Sequence, residues 1–444
     1  MDDKNRRFRI IVFFLFLVLP TVVWGLLKPT GLRDKLDFDV DENREKYQFE
    51  PTGSVQTLPM GIEAWYNDRV PFRSVLLTAN RRLMAAIEVP YDTRIEPKLL
   101  EIADRSMKKD SDEEAEPSGA AESDESESAD AISKDPNYFP VKIKNNILEG
   151  RDGWYFYAAE LYDYTGTNLP DEEELKEFED AFTKLQTAAE NCGMQFAGAC
   201  FPMKSRIYPE YMPTMKMSED FKIKVIGNYL RENTDVNFET VYEDLVERKP
   251  LGQEYFAKDS HWTCQGALTG VNAVYRMLGL PEIEDGTFET VETMHTGDLS
   301  RMRNEPEEEV EYRPLYKPEI TAEPTFDDGE NYGFNNRGYS EFWSDAPDER
   351  TFVIVGDSYS NNMAEYIKKD FKHTVFVNRR YLDMMDPALI EDADFMVFIF
   401  CEGNADDPTW DCIGGVRKLA EILDGLEVPA ETEAPETSEE QVQE

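Results

Sequence analysis

Two short stretches of the chain carry residue types that together make a nucleophile. In residues 258–263, Lys258-Asp259-Ser260-His261-Trp262-Thr263, an aspartate stands two places before a histidine. In residues 356–360, Gly356-Asp357-Ser358-Tyr359-Ser360, a serine follows glycine and aspartate. A serine hydroxyl is a very weak acid, unreactive until a histidine takes its proton, and that imidazole needs a carboxylate to fix its tautomer. Two residues apart on an extended segment, Asp259 and His261 point the same way, so the carboxylate can lie beside the ring. The chain has three histidines, His261, His295 and His373. Only His261 has an acidic neighbour at that spacing in a loop leading to a helix. Taken alone, residues 259–261 are also compatible with a capped surface loop or a metal site, and residues 356–358 with an ordinary strand-to-helix turn. Three scattered histidines and no clustered cysteines weigh against metal, and no cofactor is expected.

These residues need elements to hold them. Residues 351–355 form an unbroken β-branched and aromatic run, which suits a strand covered on both faces in a parallel sheet. Gly356 then allows a sharp turn, and Ser360 or Asn361 can cap a helix with Met363, Tyr366, Ile367 and Phe371 on one face. Ser358 would sit where the strand's C-terminal end meets the helix N-terminus, with its own backbone N–H as the surest oxyanion donor. Upstream, Leu175, Phe178, Phe182 and Leu185 line a helix, residues 194–201 a strand, and Phe221, Val225, Tyr229 and Leu230 a second helix. After Ser358 come a strand at 374–377, a short helix near 387–391, a strand at 395–400 and a helix around 413–423. This alternation predicts an α/β domain with a mostly parallel sheet and helices on both faces, its site at the C-terminal strand edge. Residues 281–350, rich in Pro, Gly, Asn and acidic residues, break the pattern and read as an irregular insertion, a candidate lid.

The whole chain bounds the function. Its 91 acidic against 47 basic residues, net −44, argue against nucleic acid as a partner. Five cysteines are too few for a disulfide framework, although Cys401 and Cys412 can pair across a loop. Lys4, Arg6, Arg7 and Arg9 precede eighteen uncharged residues, 10–27, which span about 27 Å as a helix, enough for a bilayer core. The basic flank predicts a cytoplasmic N-terminus on a single-pass anchor in the cell membrane, the rest being extracytoplasmic. A cleaved signal peptide competes, but residues 24–27 offer no small-x-small site. The expected organisation is thus a flank and transmembrane anchor (1–28), a membrane-proximal stalk (29–100), an acidic disordered spacer (101–137), a catalytic domain (138–428) and a disordered acidic tail (429–444).

Five blocks, in order, carry a family resemblance: residues 65–73 (WYNDRVPFR), 150–157 (GRDGWYFY), 202–210 (PMKSRIYPE), 259–262 (DSHW) and 356–360 (GDSYS). In that order they resemble the alginate O-acetyltransferase family, membrane-tethered or periplasmic proteins with an SGNH hydrolase-like domain that acetylate exported polysaccharides. In ordinary SGNH hydrolases the serine block comes first; in this family the Asp-x-His block precedes it, as here. The resemblance implies a three-layer αβα SGNH-like domain. It also implies Ser358, His261 and Asp259 as the catalytic trio acting through an acetyl-serine, and a polysaccharide acceptor. An acetyl donor supplied by a multi-pass membrane O-acyltransferase is implied as well. Tyr359, Trp262, Lys204, Arg206 and Tyr208 are the candidate sugar contacts, and the Gly297-Asp298-Leu299 turn is a weaker one. The long acidic spacer and Cys401-Glu402-Gly403 depart from the family pattern, which leaves the polymer open. Two other functions share these residues or dispense with them: an esterase that removes acetyl groups from wall or exopolymer glycans, and a non-catalytic glycan-binding assembly protein.

Overall fold

The computed structural model describes residues 138–284, 286–316, 319–324, 338–405 and 412–426, with the short stretches 98–99 and 101–102. The expected anchor, the tail and nearly all of the stalk and spacer lie outside the described residues. No helix among those described is long and apolar enough to cross a membrane.

From residue 138 onward the described fold opens with a three-stranded antiparallel sheet, β1 (Ile143–Lys144), β2 (Ile147–Glu149) and β3 (Tyr155–Tyr157), then α1 (Glu160–Thr165) and α2 (Glu172–Asn191). Asp171 caps α2 by accepting from the N–H groups of Glu173 and Glu174, while the Glu174 carboxylate returns to the Asp171 N–H. This reciprocal pair satisfies donors that the first helical turn leaves unbonded. Next come β4 (Gln195–Phe201), α3 (Lys204–Ile207), α4 (Lys222–Asn233), β5 (Phe238–Thr240), α5 (Tyr242–Arg248) and α6 (Cys264–Met277). Then follow β6 (Phe288–Thr296), α7 (Asp298–Met302), β7 (Glu308–Tyr316), β8 (Ala322–Pro324) and β9 (Tyr339–Ser344). The chain ends with β10 (Asp348–Gly356), α8 (Ser360–Asp370), β11 (Phe371–Asn378), β12 (Phe395–Cys401) and α9 (Cys412–Asp424).

The central sheet has seven strands in the order β5-β4-β12-β10-β11-β9-β8. The first five run parallel, and β9 and β8 close the edge antiparallel. Strand β10 is central, and its period-2 alternation feeds two cores. Phe352 and Ile354 join the cluster with Leu268 and Val271 of α6 and Met363 and Ile367 of α8. Val353 and Val355 join the cluster with Phe178 and Phe182 of α2, Ile226 of α4 and Leu419 of α9. An α/β fold of three layers with a mostly parallel sheet therefore holds, for the reason the apolar run gave: both faces of the strand are covered.

Several expectations are corrected in detail. The described part of residues 281–350 is not irregular, because β6 and β7 pair over nine residues each as an antiparallel hairpin and β8–β9 extend the main sheet. Phe371 starts β11 and is not on the helix, and α8 is capped by no side chain: the Ser360 hydroxyl donates to the Asp357 carbonyl. On α4 the buried face is Ile223, Ile226, Gly227 and Leu230, with Val225 and Tyr229 only half-buried. Gly356 is required by close approach: a side-chain carbon there would overlap the Ile399 side chain and sit 2.9 Å from its carbonyl oxygen. All five cysteines are free, so Cys401 and Cys412 do not pair.

Candidate active site

Ser358 follows the C-terminal end of β10, and His261 lies in the loop that enters α6. That loop is a tight turn, closed by a bridge between Tyr255 and Trp262 and by the bonds Phe256 N–H to His261 carbonyl and Thr263 N–H to Glu254 carbonyl. The turn is stitched to the serine turn in both directions. Trp262 Nε1 donates to the Tyr359 carbonyl (3.0 Å), the Tyr359 hydroxyl donates to the Ser260 carbonyl (2.9 Å), and Asn362 Nδ2 donates to the Trp262 carbonyl (3.0 Å). About a hundred residues of sequence separation are thereby closed by three hydrogen bonds and a cluster of aromatic rings.

The outcome is a continuous line of hydrogen-bonded atoms. His261 Nε2 lies 2.7 Å from Ser358 Oγ, and His261 Nδ1 lies 2.7 Å from Asp259 Oδ1. The pairing of Asp259 with the ring does not come from an extended segment as expected. Asp259 Oδ1 also accepts from the His261 backbone N–H (2.9 Å), so a side-chain-closed turn sets the geometry. An ionised carboxylate only accepts, so Nδ1 of His261 carries the proton and Nε2 faces the serine. The serine turn is itself held: Asp357, fully buried, accepts from the Tyr359 N–H on Oδ1 and from the Cys401 N–H and Asn404 Nδ2 on Oδ2. Among the described residues no group accepts from the Ser358 N–H.

The charges follow from the surroundings. Burial works against ionising Asp259, but hydrogen bonds from His261 and His295, the His261 charge and the Asp298 N–H outweigh it, and the carboxyl is held well below the usual range. Burial disfavours the His261 cation, yet the Asp259 hydrogen bond and charge, with Asp298 and Asp357 behind them, raise its pKa to about 9. The ring still keeps 31% of its side-chain surface in solvent.

The five side chains expected to touch sugar are placed inside the fold. Trp262 and Tyr359 are buried between the two loops. Lys204 is fully buried and spends its ammonium on the carbonyls of Phe256, Ala257 and Asp259, at 3.1, 3.2 and 2.8 Å. Arg206 donates to the Ser218 and Asp163 carbonyls, and the Tyr208 hydroxyl accepts from the Glu254 N–H. Lys204 and Tyr208 thus brace the loop that carries His261, Arg206 ties residues 163 and 218 together, and all five lie inside the fold rather than on its surface. Burial pushes Lys204 and Arg206 below their ordinary pKa values and Tyr208 up to about 12.

Two residues on the hairpin reach the site. His295 Nε2 donates to Asp259 Oδ2 (2.8 Å), and Asp298 accepts from the Ser260 N–H (2.7 Å) and hydroxyl (2.6 Å). The sequence marked Asp298 only weakly and His295 not at all, since neither is near the Asp259–His261 pair in the chain. His373 lies at the other end of the sheet, paired across from Thr351 and bonded to Glu341. Among the described residues one group of side chains lies close enough to hold a metal ion, Asp259, His261 and Asp298, whose ligand atoms fall within 4.8 Å of one another. Each of those atoms already serves a hydrogen bond described above, so a metal would replace the bond between His261 and Asp259.

No curated protein sequence matches the chain. Among solved structures, Bacillus cereus PatB1 with a sulfonyl adduct is 17% identical, covering 61% of this chain and 98% of that one at a TM-score of 0.45. A DHHW family protein from Eubacterium siraeum is 18% identical over 63% and 98% (TM-score 0.45). The O-acetyltransferase domain of Pseudomonas putida AlgJ is 17% identical over 61% and 98% (TM-score 0.39). The family model for the SGNH hydrolase-like domain of acetyltransferase AlgX matches residues 147–380, more than half of the chain and a span that holds Asp259, His261 and Ser358. The chain therefore belongs to the AlgX family of SGNH hydrolase-like domains.

Proposed function

We propose that this chain is a serine-dependent O-acetyltransferase that passes acetyl to hydroxyl groups of an exported or cell-surface polysaccharide. The observation that carries the reading is the line of atoms from Asp259 through His261 to Ser358, with both ring nitrogens 2.7 Å from their partners. Such a line is what a weakly acidic hydroxyl needs to become a nucleophile.

In the proposed first step Ser358 Oγ attacks the acetyl carbonyl carbon while its proton passes to His261 Nε2. The Ser358 N–H receives the oxyanion at the start of α8. Collapse expels the donor's leaving group, which takes the proton from Nε2 and leaves acetyl-Ser358. A sugar hydroxyl then gives its proton to Nε2 and attacks the ester, and Ser358 departs with that proton. Asp259 keeps its charge throughout and steadies the imidazolium. No metal enters these steps, because His261 Nδ1 and both Asp259 oxygens are engaged within the protein.

The donor in this reading comes from a multi-pass membrane O-acyltransferase, and residues 10–27 anchor the chain beside it. External protease on intact cells is expected to cut within residues 101–137 and release the domain; protection would reverse the proposed orientation.

Transfer and hydrolysis differ only in what attacks the acetyl-enzyme. Purified protein is expected to hydrolyse para-nitrophenyl acetate slowly and, given an oligosaccharide of the native polymer, to yield acetylated sugar, both reactions being lost in Ser358→Ala. Rapid deacetylation of the polymer with no acetylation of acceptor would establish the esterase reading. Polymer acetylation in cells that is untouched by Ser358→Ala would leave a binding protein.

A further inference from the structure

The proposed mechanism uses one histidine on Asp259, yet the carboxylate holds two. Asp259 divides its oxygens: Oδ1 accepts from Nδ1 and the backbone N–H of His261, and Oδ2 accepts from His295 Nε2 and the Asp298 N–H, both at 2.8 Å. Because the ionised carboxylate can only accept, His295 presents a protonated Nε2. Its ring stacks on Phe256 with centroids 4.3 Å apart, so its plane is fixed. The hairpin that carries His295 is clamped to the same loop. Glu309 of β7 accepts from the N–H groups of Ala257 and Lys258, Lys258 pairs with Glu307, and the Ser300 N–H donates to the Lys258 carbonyl.

We infer that His295 is a positioning residue for the transfer reaction, holding the second oxygen of Asp259 so that the first meets His261 in one orientation and sharing the carboxylate's charge between two imidazoles. The inference rests on the serine mechanism proposed above. The other charged groups facing the pair make their hydrogen bonds elsewhere, although the charges of Asp298 and Asp357 also act on His261. Asp298 holds Ser260 by its carboxylate, Asp357 holds the serine turn, Lys204 binds the Asp259 carbonyl from α3, and Glu309 holds backbone N–H groups. None of these side chains takes Oδ2 of Asp259. Without His295 that oxygen keeps one backbone donor, the carboxylate gains freedom to rotate, and more of its charge falls on His261. A more strongly held imidazolium is a poorer base at neutral pH.

The test uses the whole chain with para-nitrophenyl acetate as acetyl donor. His295→Ala is expected to lower kcat about tenfold with KM within about twofold, the pattern of a lost orienting partner. It is expected to move the midpoint of the ascending pH–rate limb upward by about half a unit. His295→Gln, whose side-chain N–H can reach the same oxygen, is expected to restore most of both. In the wild-type protein, long-range proton–nitrogen spectra of the three histidine rings are expected to show a proton on Nε2 of His295. Wild-type kcat and midpoint in a folded His295→Ala protein overturn the inference. Lost rate with an unmoved midpoint, or a bare Nε2 on His295, does the same. If His295→Ala does not fold, the ring spectra decide, a proton on Nε2 of His295 supporting the inference and a bare Nε2 overturning it. Hydrolysis that survives Ser358→Ala is a different failure, that of the serine mechanism itself.

Discussion

At the scale of single residues, the bond between Asp259 and His261 sets the charge of the ring as well as its direction. With a pKa near 9, His261 is largely protonated at neutral pH and must lose that proton before it can take one from Ser358. The rate of acetyl-ester turnover is therefore expected to climb from pH 7 to about 9, above the range of an ordinary imidazole, as a pH–rate profile will show. Asp259→Asn removes the charge that raises the ring, so the midpoint should fall back toward ordinary imidazole values. Its plateau should nevertheless drop on the order of 10⁴-fold, because the tautomer is no longer fixed. A profile of Asp259→Asn unchanged in midpoint would contradict this electrostatic picture. The same shifts enter folding with opposite signs. The depressed Asp259 carboxyl contributes stability above its unfolded value of 3.8 and loses it on acidification, whereas the raised His261 contributes below 6.5 and loses it as pH rises through about 9.

At the scale of elements, the β6–β7 hairpin acts as a cover clamped to the catalytic loop, and Gly297 at its elbow is the closest point. A side-chain carbon at Gly297 would overlap the Lys258 carbonyl, whereas one at Gly286 would meet open space. Gly297→Ala is expected to cost about 1–3 kcal/mol in denaturant unfolding. By shifting Asp259 it should also lower kcat on the order of 100-fold. Gly286→Ala should do neither, and a fully active Gly297→Ala protein would show that the clamp does not set the site. This hairpin is also where the sequence was least legible. Strand β6, FETVETMHT, has no fully buried residue and pairs with β7 alone, so it lacks the apolar alternation that announces a strand. In contrast β10 announces itself, because hydrophobic cores on both sides demand an unbroken apolar run. The meeting of Asp259, His261 and Ser358 was legible because the proposed chemistry needs fixed residue types. The burial of Lys204 and Arg206 was not legible, because a sequence shows their charge but not the backbone carbonyls that accept it. His295 left no local signal, since its partner lies 36 residues away.

At the scale of the molecule, the parallel sheet delivers Ser358 at its C-terminal edge, α6 follows the loop that brings His261 to it, and the hairpin returns to hold Asp259. The net charge of −44 over the whole chain weighs against nucleic acid as a partner. The central claim is covalent, that acetyl rests on Ser358 between donor and acceptor. It is tested most directly by exposing the whole chain to para-nitrophenyl acetate without acceptor, quenching in acid, and reading the proteolytic peptides by mass spectrometry. The expected result is an acetyl group on Ser358 that disappears on adding acceptor oligosaccharide and never forms in His261→Ala. Turnover that proceeds with Ser358 unmodified at every quench time, or an acetyl group that forms equally well without His261, would contradict it.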